Sequence, residues 1–479
     1  MGKTSSKLQG PDDGELPITE FVRRHGDQLF EGDRPFRFIS VNVPNLLLIE
    51  DRPDRWKGGD GRWALPDPYE QYDALLTVKG LHGRVVRTYT LGFGPFYHVE
   101  GIRTYNEPCF VAFDHALAIA RSLGVRLIIP LLNNHNGGDA KRSFDYGSYA
   151  IMASWRGVKP SGFYSEPELL DDMRHLISFL LNRVNTLTGI RYGDDPTILG
   201  WELGNELGGW DGPAPPTAWT LALTSHLRSL APKTLVFDGT MGGLNAPSRL
   251  DVAALRSPDG PDVFSNHYYY GGSDISRIKG DSAFAGKAFY IGEFGFSKLS
   301  TLTNVMETTR SLKRVSGALI WSLRFHSMDG GFYTHSEDHD FYAYHAPGFP
   351  ESDGFHRDEA ETIALLRKQA LRIQERNPAQ VPHPTPPTPL LLAPAAPGQL
   401  RWRGSAWAAE YDVRRGVASP QGFQWEEKLV AEHVLDNVKS GQPIWSDHEQ
   451  REGAGYVYSV QAVGVDGHRS EWSNVVGAV

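Results

Sequence analysis

Short runs of nearly continuous apolar residues alternate with amphipathic segments over the first three quarters of the chain. Such runs are typical of parallel strands covered on both faces, whereas apolar residues three and four positions apart indicate helices. The plainest helical segment is 166–185, and another, 358–376, follows the last run. The strand-like runs are RFISVNV, RVVRTYTL, RLIIPLLNN, ILGWELGNE, TLVFDGT, DVFSNHYYY, AFYIGEFGF and ALIWSLRFH. Eight strands alternating with helices predict an α/β fold, a (β/α)8 TIM barrel.

The pattern changes after a proline-rich stretch, 377–397, whose eight prolines disfavour a helix or an inner strand. We interpret this stretch as a stiff linker. Beyond it, apolar and polar residues alternate between turn residues, which predicts a small all-β sandwich. Tyr456 resembles the corner tyrosine of a fibronectin type III module. The predicted divisions are an N-terminal extension at 1–18, the barrel at 19–376, the linker at 377–397 and the fibronectin type III-like sandwich at 398–479.

The last of these divisions is rich in tryptophan, which leaves a carbohydrate-binding face open as one interpretation. Core positions and contacts with the barrel are the alternative, and they favour a spacer or a docked module. The tryptophans in question are Trp402, Trp407, Trp425, Trp445 and Trp472.

Charge and composition exclude several classes of partner. A net charge of −9 without a run of Lys or Arg argues against nucleic acid or an anionic membrane. No apolar run approaches the roughly 18 residues that span a bilayer. The single cysteine, Cys109, excludes an intramolecular disulfide framework, and no Cys/His spacing indicates a zinc site. We therefore predict no cofactor and no metal.

Polar residues end the strand-like runs, and a barrel gathers the C-terminal ends of its strands into one active-site bowl. Two carboxylates, an arginine, amides, a histidine and aromatic rings suit sugar chemistry better than metal or phosphate chemistry. The residues are Asn42, Arg87, Asn133, Asn134, His135, Asn205, Glu206, His267, Tyr269, Glu293, Trp321 and Arg324.

Glu206 and Glu293 end the fourth and seventh runs. Glycoside hydrolysis uses such a pair, one carboxyl group as proton donor and the other as nucleophile or base. In a retaining enzyme the two groups stand about 5–5.5 Å apart, and the barrel would bring them together across 87 residues of sequence. Glu202, four residues before Glu206, is interpreted as a paired structural carboxylate.

The fourth-run motif Trp201-Glu-Leu-Gly-Asn-Glu206 and the seventh-run motif Ile291-Gly-Glu-Phe-Gly295 resemble those of clan A glycoside hydrolases, particularly family 5. Within that family, the stretch 181–206 resembles endo-β-1,4-mannanases. The resemblance implies that Glu206 is the acid/base, Glu293 the nucleophile, and that Asn205 bonds the 2-hydroxyl of the sugar in the −1 subsite.

The same resemblance assigns roles to the other strand-end residues. Arg87 would keep Glu293 ionised, His267 would orient Glu206, and Tyr269 would bond Glu293. Trp321 would form the apolar floor beneath the −1 sugar. Asn134 and His135 end the third run, where mannanases of this type show Asn-Asn-Trp, and we expect both to contact substrate.

The resemblance to mannanases weakens in two loops. Leu207-Gly-Gly-Trp210 replaces the common Asn-Glu-Pro after the acid/base. The segment 325–350 is long and holds His326, Asp329, His335, Asp338, His339 and His345 among aromatic residues. We expect this loop to shape the subsites and to close one end of the cleft, with sugar contacts, local structural bonds or metal binding open for its histidines.

The sequence thus predicts a retaining hydrolase of β-mannosidic linkages in mannan-type polysaccharides or oligosaccharides. An exo-acting β-mannosidase, a β-glucanase of the same family, and a non-catalytic carbohydrate-binding barrel are the alternatives. The family resemblance implies a secreted or periplasmic location, but residues 1–17 lack an apolar signal core, so a cytoplasmic location stays open. The oligomeric state is not predicted.

Overall fold

The chain folds around eight parallel strands that close into a barrel. This computed structural model describes residues 18–51, 64–135, 148–209, 212–241, 251–269, 274–337, 341–394, 396–420, 422–450 and 455–477. The barrel strands follow one another around the barrel in the same order as along the chain. They are Phe38–Val43, Val85–Thr88, Arg126–Pro130, Ile198–Glu202, Leu235–Phe237, Val263–Tyr269, Ala288–Gly295 and Val315–Ile320. The eight predicted runs and the (β/α)8 architecture are confirmed.

Helices follow the barrel strands and pack around them. They are Pro68–Gly80, Glu107–Leu123, Tyr149–Trp155, Pro167–Asn182, Thr217–Leu230, Val252–Arg256, Asp274–Ala285, Leu299–Ser311 and Glu359–Ile373. The first begins at a capping box, in which Asp67 accepts from the Tyr69 amide and Glu70 accepts from the Asp67 amide. The two segments predicted to be helical are confirmed, with slightly narrower bounds.

A small antiparallel sheet closes the N-terminal end of the barrel. Its strands are Val22–His25, Gln28–Glu31 and Arg34–Pro35. Val22 and Leu29 join an apolar cluster with inward-facing barrel residues such as Phe237 and Tyr290. Since apolar side chains fill this end, the polar residues that end the strands gather at the opposite, C-terminal end.

The C-terminal region is all β. Its strands are Leu390–Leu391, Gln399–Leu400, Trp402–Arg403, Ala408–Ser419, Gly422–Trp425, Ala431–Val434, Trp445–Ser446, Tyr456–Gly464 and Val476–Gly477. Trp402 and Tyr411 are fully buried in its core. Leu390–Leu391, within the proline-rich stretch, already pairs with Trp402–Arg403. The domain boundaries stay predictions.

Two further short pairs of strands lie in loops of the barrel, and neither joins the barrel sheet. They are Val99–Gly101 with Thr104–Tyr105, and Ser336–Glu337 with Phe341–Tyr342. Among the described residues, no helix combines the length and apolar character that crossing a bilayer requires.

The C-terminal region packs directly on the first barrel helix. The Trp407 indole nitrogen donates to the Thr77 carbonyl at 3.0 Å, and the Tyr69 hydroxyl donates to the Gly404 carbonyl at 2.8 Å. A Cβ on Gly80 would lie 2.1 Å from the indole nitrogen of Trp407, so the two surfaces meet at a glycine. This contact is a fitted interface between the two parts of the chain.

We expect Gly80→Ala to lower the melting temperature, because the added methyl group overlaps the Trp407 ring and overpacking costs about 1–3 kcal/mol. Gly280→Ala is the matched control, since it lies in the helix Asp274–Ala285 with nothing within 4 Å of the new Cβ. There, alanine should be neutral or stabilising. Equal melting temperatures for the two variants, measured by thermal unfolding, would show that the interface is not tightly fitted.

Candidate active site

Arg87 connects the ends of four barrel strands. Its buried guanidinium donates to Glu293 Oε1 at 2.8 Å, Glu202 Oε2 at 2.6 Å and Asn205 Oδ1 at 2.8 Å. A longer bond of 3.3 Å reaches Asn42 Oδ1. Burial acts to lower the pKa of Arg87, but Glu202, Tyr290 and Glu293 raise it above its usual value. The guanidinium is therefore a fixed positive charge at the base of the bowl.

Glu202 is fully enclosed and has both oxygens bonded. Arg87 occupies one oxygen, and the Tyr290 hydroxyl donates to the other at 2.8 Å. A carboxylate held in this way is oriented inside the barrel and supports Arg87. These contacts fit the structural role predicted for Glu202.

Glu206 lies in a left-handed backbone turn directly after the fourth strand, with φ of 56°. Such a conformation is costly for a non-glycine residue and is often found at functional sites. Isolated bridges on both sides, Asn133 with Asn205 and Leu207 with Thr240, hold the turn in place. The turn therefore presents the Glu206 carboxylate at a fixed position in the bowl.

Two imidazoles contact the two oxygens of Glu206. His267 Nδ1 lies 2.7 Å from Oε1, and His135 Nε2 lies 2.6 Å from Oε2. Burial acts to raise the pKa of Glu206, but the charge and hydrogen bonds of these histidines hold it well below its usual range. Burial likewise acts to lower the pKa of His267, but Glu293 and Glu206 raise it to about 9. At neutral pH, His267 is therefore protonated and Glu206 is ionised.

Glu293 faces Glu206 across His267. The Tyr269 hydroxyl donates to Glu293 Oε2, and His267 Nδ1 lies 3.3 Å from the same oxygen. One oxygen of each carboxylate and one ring nitrogen of His267 lie within 4.8 Å of one another. This spacing fits the short separation of a retaining pair and is below the 6.5–9.5 Å of an inverting one.

Trp321 forms a partly exposed wall beside this pair. Its indole nitrogen donates to Glu337 Oε1 at 2.9 Å, and its ring lies 5.6 Å from the Tyr89 ring. His335 Nε2 contacts the same Glu337 oxygen at 2.8 Å, while His335 Nδ1 contacts Asp51 Oδ1 at 2.7 Å. The aromatic wall is therefore fixed by polar residues of the first and eighth loops.

Two groups of described residues bring three potential metal ligands together. They are Glu206 with His267 and Glu293, and Glu50 with Asp51 and His335. An arginine already pairs with carboxylates in each group, Arg87 in the first and Arg324 in the second. Guanidinium groups thus lie next to Glu293, Glu50 and Asp51, whereas Glu206 is contacted by His135 and His267.

Eight of the predicted site residues lie together in this bowl. They are Arg87, His135, Asn205, Glu206, His267, Tyr269, Glu293 and Trp321. Asn134 is buried, and its Nδ2 donates to the Gly209 carbonyl at 2.9 Å, which supports the loop after the fourth strand. Its predicted contact with substrate stays a prediction. Trp210, Asp338 and His339 lie outside the described residues.

Sequence reasoning missed Glu337 and Asp51, and it did not settle the role of the loop histidines. Glu337 carries no motif, and only its place in a loop rich in acids and aromatics pointed to it. His345 is buried against Glu359 at 2.8 Å, and His326 is buried between two aspartates. These two histidines therefore form local structural bonds and do not lie on an exposed sugar-binding surface.

Comparison with known proteins adds independent information about the barrel. A family model described as "GH family 5 beta-mannosidase-like" matches residues 128–269, which include Glu206. Mannan endo-1,4-beta-mannosidase 7 of Arabidopsis thaliana is 32% identical over 264 residues, 53% of this chain and 56% of the relative. Mannan endo-1,4-beta-mannosidase 2 of Oryza sativa subsp. japonica is 30% identical over 265 residues, 54% of each chain. The chain thus spans little more than half of these relatives' length.

Among solved structures, the endo-1,4-beta-mannanase of Rhizomucor miehei superposes with a TM-score of 0.57 at 22% identity. The match covers 74% of this chain and 100% of the other, and at this identity it supports the barrel fold alone. The family model and the plant relatives thus show that the barrel is similar to enzymes of glycoside hydrolase family 5.

Proposed function

We propose that this protein is a retaining β-glycoside hydrolase that cleaves β-mannosidic linkages in mannan-type polysaccharides or oligosaccharides by double displacement. The observation that carries the proposal is the close approach of Glu206 and Glu293, within 4.8 Å, at the ends of the fourth and seventh strands. The similar plant proteins are named mannan endo-1,4-beta-mannosidases, which supports mannan as the substrate of this chain.

Glu293 is the nucleophile in this mechanism. Arg87 and Tyr269 donate to different oxygens of its carboxylate and fix its orientation. A Glu293 oxygen attacks the anomeric carbon as the bond from that carbon to the leaving oxygen breaks, which gives a glycosyl-enzyme ester. Water then attacks the same carbon, and Glu293 leaves as carboxylate. Two inversions at one carbon give net retention.

Glu206 delivers the proton to the leaving oxygen and later removes one from the attacking water. In the free site, the proton is held by His267, whose pKa is raised to about 9. His135 is about one third exposed, so it occupies the more open of the two carboxylate oxygens. Displacement of His135 by a bound sugar would raise the pKa of Glu206 and let His267 pass a proton to it.

The sugar in the −1 subsite is held by Asn205 and Trp321. Arg87 fixes Asn205 Oδ1, and Nδ2 donates one hydrogen to Asn133 at 3.2 Å. We assign the second Nδ2 hydrogen to the 2-hydroxyl of the sugar, a bond that gains strength in the transition state. The Trp321 indole offers its face to the C–H groups of the ring.

The all-β C-terminal region is, in this proposal, a fibronectin type III-like module that follows a linker at 377–397. Its support is a five-stranded antiparallel sheet, built on the long strands Ala408–Ser419 and Tyr456–Gly464, together with two two-stranded sheets and a core that includes Trp402 and Tyr411. A secreted or periplasmic location is proposed from the family resemblance.

Substitution of the two glutamates tests the mechanism. Glu293→Ala should abolish hydrolysis of aryl β-mannosides, because no carboxylate remains to attack the anomeric carbon. Glu206→Ala should lose about 10²–10⁴-fold on substrates with poor leaving groups, much less on activated aryl glycosides, and should be partly rescued by azide. Initial rates of both variants are compared with those of Glu351→Ala, an exposed glutamate outside the bowl. A Glu293→Ala variant as fast as an active parent would contradict the proposed nucleophile, whereas a parent without hydrolytic activity would favour a carbohydrate-binding barrel.

The pH profile tests the proton source. Because the pKa of His267 is raised to about 9, the proton needed by Glu206 is present below that pH and lost as pH rises through it. We expect kcat/KM to fall near pH 9 in the parent. In His267→Asn the alkaline fall of kcat/KM should shift to lower pH by more than about one unit, since only Glu206 then holds the proton. An unchanged alkaline limb would show that another group controls it.

Product lengths decide between internal and terminal cleavage. If the eighth loop leaves the cleft open, mannan should yield a ladder of mannooligosaccharides, whereas a cleft closed at one end should yield a single short product. Chromatography of digests of mannan, glucomannan, glucan and short β-mannooligosaccharides measures the product lengths and shows which substrate is cleaved. Mannose alone would identify an exo-acting β-mannosidase, and preferential cleavage of glucan would identify a β-glucanase.

A further inference from the structure

The loop after the eighth barrel strand is anchored on the C-terminal module before it returns to the active site. The Phe332 amide donates to the Val438 carbonyl at 2.8 Å, and the Ser440 amide donates to the Phe332 carbonyl at 2.8 Å. Gly331 packs against the same backbone segment of the module, since a Cβ added there would lie 2.5 Å from the Val438 carbonyl oxygen. The loop and the module thus share backbone pairing.

His326 forms a second anchor on the same loop. Its Nδ1 lies 2.9 Å from Asp73 of the first barrel helix, and its Nε2 lies 3.0 Å from Asp436 of the module. All three side chains are nearly completely buried. A Cβ added to Gly404 would lie 2.1 Å from the His326 ring, so the module fits closely over it. One imidazole therefore joins the barrel, the loop and the module.

The charge of this anchor follows from its surroundings. Burial acts to lower the pKa of His326, but Asp73 and Asp436 raise it to about 10. An imidazolium between two carboxylates is stable in a buried place, whereas loss of either carboxylate leaves it with one partner. Among the neighbouring groups, Glu70 accepts from the Tyr333 hydroxyl at 2.6 Å and holds the next turn of the loop.

The anchored segment continues directly to the sugar-contacting wall. His326 lies five residues after Trp321, and Tyr333 precedes His335 and Glu337. Glu337 accepts from the Trp321 indole, and His335 links Glu337 to Asp51. Because both ends of the segment reach Trp321, a shift at the anchors displaces the side chains that hold the indole ring.

We propose that the C-terminal module is a positioning element of the active site, which holds Trp321 and Glu337 against the substrate through the Asp73–His326–Asp436 bridge and the backbone pairing of Phe332. This inference rests on the proposed function of the bowl. It assigns Asp436, more than a hundred residues beyond the barrel's last strand, an effect on sugar binding. A module tethered only to bring the enzyme to a polymer would have no such effect.

The experiment compares Asp436→Asn with Asp412→Asn in the full chain. Asp412 is also a buried aspartate of the module, but it pairs with Arg469 within the module. Both changes remove the charge of a buried aspartate that forms an ion pair, and only Asp436→Asn cuts the tie to the loop. Asp436→Glu, which keeps the charge, is the rescue variant, and Gly331→Ala disturbs the same interface from the barrel side.

Two measurements are made on each variant, below its melting temperature. The first is amide hydrogen exchange of peptides covering 322–337, which reports the loop without any substrate. The second is kcat and KM for mannopentaose. We expect Asp436→Asn and Gly331→Ala to speed exchange in the loop and to raise KM at least 10-fold with a smaller change in kcat. Asp412→Asn and Asp436→Glu should stay within about two-fold of the parent.

Unchanged exchange in both Asp436→Asn and Gly331→Ala would overturn the inference, as would faster exchange with parental KM. An equal rise in KM for Asp412→Asn would reduce the effect to general loss of stability and would also overturn it. A parent without activity on any β-mannoside would contradict the proposed function itself. In that case hydrogen exchange alone still decides whether the module holds the loop.

Discussion

A buried guanidinium is the constraint on which the active site depends. Arg87 lies inside the barrel mouth, where an unpaired charge would be strongly destabilising, and it is balanced by Glu202 and Glu293. Breaking such a buried pair costs about 3–5 kcal/mol. The same bonds that stabilise the charge fix Glu293, the proposed nucleophile, and the Asn205 amide. Arg87 therefore contributes both to the stability of the barrel mouth and to the geometry of the site.

Glu206, the proposed acid/base, depends on a different electrostatic balance. Glu206 lies in a left-handed turn held by bridges to neighbouring strands and is contacted by two imidazoles. Burial alone would favour its neutral form, but the imidazoles favour its ionised form. Two imidazoles contact Glu206, whereas Arg87, Tyr269 and the more distant His267 contact Glu293. This difference in surroundings supports different proposed roles for two chemically identical side chains.

The barrel and the meeting of Glu206 and Glu293 at its mouth could be predicted from the sequence, because both follow from local pattern. Buried parallel strands appear as continuous apolar runs, and the fold places their last residues in one bowl. The contacts of Glu337 and Asp436 could not be predicted, since no local pattern indicates their partners. These partners are Trp321, 16 residues before Glu337, and His326, 110 residues before Asp436. The proline-rich stretch suggested a stiff spacer, whereas the structure shows the module fitted onto the barrel through Trp407 and Gly80.

The proposed double-displacement mechanism depends most on covalent catalysis by Glu293. Trapping of the glycosyl-enzyme intermediate tests this step most directly. A 2-deoxy-2-fluoro-β-mannosyl fluoride slows hydrolysis of the ester more than its formation, so a glycosyl-enzyme should accumulate. Peptide mass spectrometry should then find one fluoromannosyl group, on the peptide that contains Glu293. A label on Glu206 instead, or turnover of the reagent without any labelled peptide, would contradict the assignment of nucleophile and acid/base.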